Sequence, residues 1–509
     1  MRCTPTEPVV APTRRPPWAA VVALGVLGAG GMALAAVLDH GSPWVTPDAA
    51  TYLGVAHNLA HGDGLTSPFR STLDPFSAVP SASVPLVHWP PGYPVVLAAF
   101  TVLGVTPGTA AELVNLLCAG SVIVLAGAIA WFRTGRPVPA LALAGVVTGS
   151  AAVAQLGRFA LSDLLFLTVC AGLLLAALRV LQGGPRAVWA VVALTTAAEL
   201  VRWAGVALVV PSVVACLLAG RRRGAVAATA VPLAVAVAWQ VVLLSVGGHG
   251  TRSVVWHPPV EVHALLRGIG TLFSPDTVSP GPALALGAAV LVASLAVGAV
   301  ATGRGRDPFR VVLVVFLASY SAVLVASRLL VDADIPWDGR ILAPVYLGVL
   351  VLVFDLAVDG GAAARWTGTA ALAVLLLGQL WSWPSLVAAA DAPQGLSARY
   401  WQHVPMEAVA ARLRGYRVLA SNHPDVVYLL LDRSALTVPD RVDPVTTRVD
   451  DAAGTDLRAL ARTLDHDGAV VLFVDPSNPR PYLEPGPTVV AACGLHLVAM
   501  FPGVSVWAR

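Results

Sequence analysis

Long apolar runs separated by short polar breaks occupy most of this chain, and only its last stretch, from residue 387 on, departs from that pattern. The first run, 18–38, holds no charge; at about 1.5 Å per helical residue it is long enough to cross a bilayer core of about 30 Å. Runs of the same character follow at 109–132, 138–156, 164–181, 187–200, 203–219, 225–246, 282–301, 311–330, 341–356 and 367–383. One more apolar run, 92–105, is bracketed by Pro and Gly and is too short to span, so it predicts a re-entrant or interfacial helix. With that segment left out, about eleven spans alternate so that every arginine cluster falls on one side, from Arg14 and Arg15 through Arg133 and Arg136, Arg179 and Arg186, Arg221 to Arg223, to Arg304, Arg306 and Arg310. The positive-inside rule makes that side the cytoplasm. Ala33-Leu34-Ala35 resembles a signal-peptide cleavage site, but the run before it is long for a signal peptide and many spans follow. The first run therefore reads as an anchor, with 1–17 as a Pro-rich cytoplasmic tail.

The stretch 387–509 carries charge throughout and alternates two periodicities. Helices are predicted over 405–414, 424–431 and 456–464, and strands over 416–420, 436–438, 469–474, 488–493 and 496–501. The expected fold is mainly α: a polytopic transmembrane bundle over 18–386 with an external loop, 39–91, and a small C-terminal extracytoplasmic α/β domain, 387–509. The expected location is the plasma membrane, multi-pass, with the N-terminus inside.

Composition agrees. The chain is 57% hydrophobic and 12% charged, against about 25% charged for an ordinary soluble domain. All 32 basic residues are arginine and the net charge is only +3, with no basic run suited to nucleic acid. Five cysteines, Cys3, Cys118, Cys170, Cys216 and Cys493, form no Cys-x-x-Cys pair, so neither a thiolate zinc site nor a disulfide framework is expected.

The polar residues that interrupt this apolar chain are the candidates for chemistry. Thr46-Pro47-Asp48 reads plainly as a helix start, with Thr as cap and an acid at the positive end of the dipole. Just outside a membrane, the same carboxylate could also take a proton from a hydroxyl. Tyr52 follows one turn later. His88-Trp89-Pro90-Pro91-Gly92-Tyr93-Pro94 predicts a rigid turn whose aromatics either anchor it at the headgroups or line a site. His88 could be a hydrogen-bond donor, an acid–base group or a ligand. Arg158 and Asp163 flank the outer end of a span, either paired with each other or functional. Arg202 follows Glu199 at helical spacing, which suits a plain salt bridge. Arg328, Asp332, Asp334, Asp338 and Arg340 cluster in an outer loop; Arg340 can pair with Asp338 or hold a phosphate bidentately.

The order of these features resembles the GT-C membrane glycosyltransferases, in particular the branch that contains protein O-mannosyltransferases and the aminoarabinose transferases that modify lipid A. The family's catalytic Asp soon after the first span is matched by Asp48, with Tyr52 behind it. Its Pro-rich turn before a juxtamembrane helix is matched by Pro90-Pro91-Gly92-Tyr93, with His88 where some members carry an acid. A second outer acid is matched by Asp163, and a late Arg-x-Leu-x-Pro by Arg340, Leu342 and Pro344. The tail, with Ser421-Asn422-His423-Pro424-Asp425, looks like tails of actinobacterial members.

The resemblance implies inverting transfer of a sugar from a polyprenyl-phosphate donor to a glycan, lipid or protein acceptor at the outer face. Asp48 would be the base, with Asp163 the second catalytic acid. Tyr52, His88, Tyr93, Arg158, Arg202 and Arg340 would be the substrate-binding set. It implies no cofactor. The first loop has no Asp-x-Asp pair to support a metal, and a divalent ion stays open. Membrane lipid is an expected partner and nucleic acid is not. Two rivals come from other classes: a transporter or flippase of lipid-linked glycans, which more often shows an internal repeat, and a non-catalytic glycan-binding membrane protein.

Overall fold

In a computed structural model the described residues are 16–39, 43–69, 84–246, 256, 262–271, 307–332, 335–391, 404–443, 448–465, 468–475 and 480–509. The expected span 282–301, Arg304, Arg306, Asp334 and residues 1–15 of the expected tail lie outside them. The chain opens with α1 (Trp18–Asp39), α2 (Pro47–His61) and a short hairpin of β1 (Thr66–Ser67) and β2 (Val84–Pro85). Then come α3 (Gly92–Val102), α4 (Pro107–Thr134), α5 (Pro137–Thr148), α6 (Ala151–Gly157), α7 (Asp163–Leu181) and α8 (Ala187–Val201). A 3-10 turn (Trp203–Leu208) leads to α9 (Val209–Leu218), α10 (Arg222–Ser245), α11 (Val262–Thr271), α12 (Pro308–Leu330), α13 (Gly339–Asp359) and α14 (Ala362–Asp391).

Among the described residues seven helices are long and apolar enough to cross a membrane: α1, α4, α7, α10, α12, α13 and α14. The chain is a polytopic membrane protein. The expected span 138–156 is broken into α5 and α6, bent by 57°. In hydrocarbon the backbone groups freed by such a break need partners, and α14 supplies them. Gln379 Oε1 accepts from Ser150 Oγ at 3.0 Å and from the Ala152 N–H at 2.9 Å, and Trp383 Nε1 donates to the Gly149 carbonyl at 2.8 Å. The expected hairpin 187–219 is present as two shorter apolar pieces, α8 and the 3-10 turn continued by α9. α3 has 11 residues, about 16 Å at 1.5 Å each, half of a bilayer core. α1 and α4 cross at small residues. A Cβ on Gly28 would stand 3.2 Å from the Gly120 carbonyl oxygen, and one on Gly120 3.1 Å from that of Gly28, so the two backbones touch.

The two ends of the bundle differ. At one end Gln182 reaches the Phe132 carbonyl at 2.6 Å and Arg221 the Gly183 carbonyl at 3.4 Å, bringing together the ends of α4 and α7 and the start of α10. Arg133 there pairs with Asp307 and Asp355, both at 2.5 Å, and with Asp359 at 3.1 Å, while Arg310 holds the other Asp355 oxygen at 2.6 Å. Asp355, the buried carboxylate of this cluster, is matched by two guanidinium groups and so is not left uncompensated at low dielectric. The other end carries the cavity described below.

The C-terminal part is an α/β sandwich of α15 (Met406–Leu413), β3 (Val418–Ser421), α16 (Pro424–Leu431), β4 (Leu436–Thr437), α17 (Ala453–Leu464), β5 (Ala469–Val474), α18 (Gly486–Cys493), β6 (His496–Phe501) and β7 (Val504–Ala508). The sheet order is β4-β3-β5-β7-β6, with β3 parallel to β4 and β5, and β7 antiparallel to β5 and β6. β5 is buried along its whole length because side chains alternate across a strand. Val470, Leu472 and Val474 join the core under α15 and α16, while Ala469, Val471 and Phe473 join the core under α17 and α18. The expected strand over 488–493 is instead helix α18. Pro487 in its first turn and Gly494 at its C-cap, φ 64°, punctuate a helix. The β-branched Val489 and Val490 had favoured a strand.

Asp440 follows β4, and its backbone bridges to Leu483. Burial, and then the neighbouring Asp450, Asp443 and Asp456, push its pKa up to about 8. The folded state therefore keeps a proton that an unfolded Asp loses near pH 4, and the stability this contributes falls as pH rises from about 4 to 8. Asp440→Asn should remove that slope and raise the melting temperature more at pH 8 than at pH 5. Even one unit of the shift is about 1.4 kcal/mol. Parallel wild-type and variant melting curves across that range would refute the assignment.

Candidate active site

A cavity of about 510 Å³ opens where the starts of α2, α7 and α13 meet the end of α8. Asp48, Tyr52, Asp163, Arg202 and Arg340 all line it. These come from four separate segments of the chain.

Local structure explains the convergence. Thr46 caps α2, its Oγ1 accepting from the Ala49 N–H at 3.2 Å, and Pro47 opens the helix. Asp48 is thus in the first turn, exposed, beside the positive helix end. The segment before it is pinned to the α6–α7 turn: the Trp44 N–H donates to the Arg158 carbonyl at 2.6 Å and the Ala160 N–H to the Trp44 carbonyl at 3.0 Å. Asn115 of α4 holds that turn in place through the Gly157 and Phe159 carbonyls, at 2.8 and 2.7 Å. Asp163, the first residue of α7, is thereby brought to the same cavity as Asp48.

Arg202 sits in an extended break between α8 and the 3-10 turn, φ −149° and ψ 141°. It ion-pairs with Asp163. Of the alternatives the sequence left open, pairing of Arg158 with Asp163 and of Arg202 with Glu199, neither is seen among the described residues, and this contact stands in their place. It joins residues that no helical spacing relates.

The turn at 88–94 is packed against the same break. Trp203 Nε1 donates to the His88 carbonyl at 2.9 Å. A Cβ on Gly92 would stand 2.6 Å from the Leu200 carbonyl oxygen, so only glycine permits this approach. Trp89 and Pro90 line the cavity; His88 and Tyr93 do not, and both are buried. Tyr93 lies edge-on behind Tyr52, ring centroids 5.2 Å apart, and braces it. Arg158 is also outside the cavity. It is 2% exposed, its guanidinium lies 3.9 Å over the Trp44 ring, and it donates to the Ala389 carbonyl at 2.5 Å.

Arg340 begins α13 beside its cap, Asp338. Asp338 Oδ1 accepts from the N–H groups of Arg340 and Ile341, each at 3.1 Å, and Oδ2 accepts from Arg340 Nε at 2.9 Å. Three aromatic lining residues had drawn no site role from the sequence: Trp203, Tyr320 and Tyr482. Tyr320 is mid-helix and reads as core; its hydroxyl donates to the Ile341 carbonyl at 2.9 Å. Tyr482 comes from the α/β sandwich, and nothing in the linear sequence relates it to the bundle. Asp332, from the expected acidic loop, also lines the cavity. Among the described residues no group of three His, Cys, Asp or Glu side chains is arranged to hold a metal ion.

The cavity thus combines an exposed carboxylate, a carboxylate–guanidinium pair, a second guanidinium and several aromatics. An exposed carboxylate can accept a proton, and guanidinium groups suit phosphate oxygens.

No family model and no curated protein matches the chain. Its fold matches solved structures. The crystal structure of ArnT from Cupriavidus metallidurans bound to undecaprenyl phosphate aligns with a TM-score of 0.61 at 15% identity, over 97% of this chain and 98% of that one. The same enzyme in the apo state aligns with a TM-score of 0.54 at 14% identity, over 96% and 98%. The chain therefore shares its fold with ArnT.

Proposed function

We propose that this protein is an inverting glycosyltransferase that moves a sugar from a polyprenyl-phosphate donor to an acceptor at the outer face of the plasma membrane. The observation that carries the reading is the single cavity shared by Asp48, Arg202 and Arg340. The shared fold with ArnT, one of whose structures holds undecaprenyl phosphate, supports it. The arginine-rich end, with Arg133 and Arg221, suits the cytoplasm by the positive-inside rule, which makes the cavity end and the α/β sandwich extracytoplasmic.

In this reading Asp48 removes the proton of an acceptor hydroxyl, whose oxygen attacks the anomeric carbon opposite the phosphate. The bond from that carbon to the phosphate oxygen breaks, and the lipid phosphate departs with the added negative charge. Arg340 meets that charge with preoriented donors, and Arg202, held by Asp163, adds to the positive field. Tyr52 and Trp89 form the aromatic wall beside the base. His88, Tyr93 and Arg158 act indirectly, by supporting the residues in front of them.

Native mass spectrometry of the purified protein with undecaprenyl phosphate should show one bound lipid. A strain lacking the gene should lose the mass of one sugar from an envelope glycan, restored by the wild-type gene. Lipid binding with no change in any glycan, together with altered lipid distribution between leaflets, would favour a flippase instead.

A further inference from the structure

The C-terminal sandwich sends one side chain, Tyr482, to the same cavity as Asp48 and Arg340. Its backbone is held in place. Its carbonyl accepts from the N–H groups of Arg441 and Val442 at 2.7 and 3.1 Å. The chain on either side is tied down, with the Leu483 N–H on the Arg480 carbonyl at 3.2 Å and the Glu484 N–H on the Pro439 carbonyl at 2.9 Å. Arg480, two residues earlier, carries a guanidinium that Asp425, and after it Tyr482, help to hold in its charged form. The same guanidinium clamps Asp425, with distances of 2.8 and 2.7 Å to its two oxygens.

Asp425 is itself fixed. It lies in the first turn of α16, which starts just beyond the carboxyl end of β3. Asn422 ties that strand end to β5 through both the N–H and the carbonyl of Val474, each at 2.8 Å. α16 in turn rests on the membrane bundle. The Tyr428 ring is 5.7 Å from Phe69, and a Cβ on Gly54 of α2 would stand 3.4 Å from it. The Arg480 and Asp425 side chains are 11% and 2% exposed. Burying such a pair has a desolvation cost that an apolar pair of the same volume would avoid. What the pair achieves here is a fixed Tyr482. Arginine has no acceptor, so the phenol O–H does not donate to Arg480 and remains a donor for another partner.

We propose that Tyr482 is an acceptor-contacting residue, that Asp425 and Arg480 are positioning residues for it, and that the acceptor is a neutral sugar ring. This rests on the transferase reading above. The donor enters from the bilayer, and its phosphate meets Arg340 on a membrane helix. Tyr482 comes from a region that, among the described residues, contains no helix of membrane-crossing length, so it faces the substrate that arrives from water. It carries no charge to offer a phosphate. It offers a flat apolar face and one hydroxyl, which match the C–H face and hydroxyls of a sugar.

The test uses the full chain in lipid nanodiscs with Tyr482→Ala, Tyr482→Phe and Asp425→Asn. Undecaprenyl phosphate is titrated as the donor-side probe. Transfer is followed from a panel of radiolabelled polyprenyl-phosphate sugars to envelope glycan isolated from the deletion strain. Tyr482→Ala should raise the KM for glycan more than about tenfold, because it loses one hydrogen bond and the apolar face together. Undecaprenyl phosphate affinity and kcat at saturating glycan should stay unchanged. Tyr482→Phe, which keeps the volume and removes only the hydroxyl, should raise KM by less. Asp425→Asn should also raise KM alone, and combining it with Tyr482→Ala should add little, since both act through one contact. An unchanged glycan KM in Tyr482→Ala and Tyr482→Phe overturns the assignment while the transferase stands. Loss of undecaprenyl phosphate affinity in the same variants also overturns it, because the residue would then serve the bundle as a whole. A wild-type protein that neither binds the lipid nor transfers any sugar fails the underlying reading instead.

Discussion

Asp48→Asn should melt like the wild type and transfer sugar about 100- to 10,000-fold more slowly, the usual loss when a general base is removed. The substitution separates two roles that the sequence left joined. As a helix-start residue Asp48 is dispensable, because Thr46 already caps α2 by accepting the Ala49 N–H. What Asp48 adds there is charge near the positive end of the dipole, about 0.3–1 kcal/mol, and Asn forfeits no more than that. As a base it is irreplaceable, since an amide does not take up a hydroxyl proton. The comparison needs purified protein, a melting curve and the rate of transfer from a polyprenyl-phosphate sugar. Turnover near the wild-type rate would return Asp48 to the helix start. Asp163 would then be the next acid to test, although it is 5% exposed and already engaged by Arg202.

The bundle was legible because apolar length and arginine position are one-dimensional signals. The same holds for the site residues that sit at the ends of apolar runs. Asp163, Arg202 and Arg340 each interrupt or bound such a run, Asp48 lies in the polar stretch that follows the first one, and all four line one cavity. Their partners were not legible. Asp163 takes Arg202, 39 residues away, rather than the nearby Arg158, because the α8 break and the α6–α7 turn are set by tertiary packing. Arg158 looked equivalent in sequence, yet it is stacked under Trp44. His88 and Tyr93 were singled out through the turn at 88–94, but the turn brings Trp89 and Pro90 rather than these two to the cavity. In the sandwich, α16 and β5 have the expected bounds, whereas 488–493 is helical because Pro487 and Gly494 outweigh two valines. Tyr482 had no signal at all; its position follows from how the sandwich rests on α2.

Arg340→Ala should lower kcat by about 10²- to 10³-fold, the cost of removing one preorganised donor to developing charge. Arg340→Lys should recover only part of it. The geometry at Asp338 explains the difference. One oxygen of Asp338 caps α13, and the other holds Arg340 Nε at 2.9 Å, which fixes the plane of the guanidinium. The terminal nitrogens have no hydrogen-bond partner among the described residues, and they form an edge suited to two phosphate oxygens at once. Lysine keeps the charge but has neither the Nε that Asp338 orients nor the two-pronged edge. Arg202 differs in being committed to Asp163, so its positive charge is already partly balanced. Because the leaving phosphate gains charge as the sugar bond breaks, the loss should appear mainly in kcat, with a smaller rise in the donor KM. The measurement is a donor titration of wild type, Arg340→Ala, Arg340→Lys and Arg202→Ala at saturating acceptor. If Arg340→Ala keeps wild-type kcat while Arg202→Ala loses it, the phosphate lies against Arg202, and the α13 start is only a capped helix.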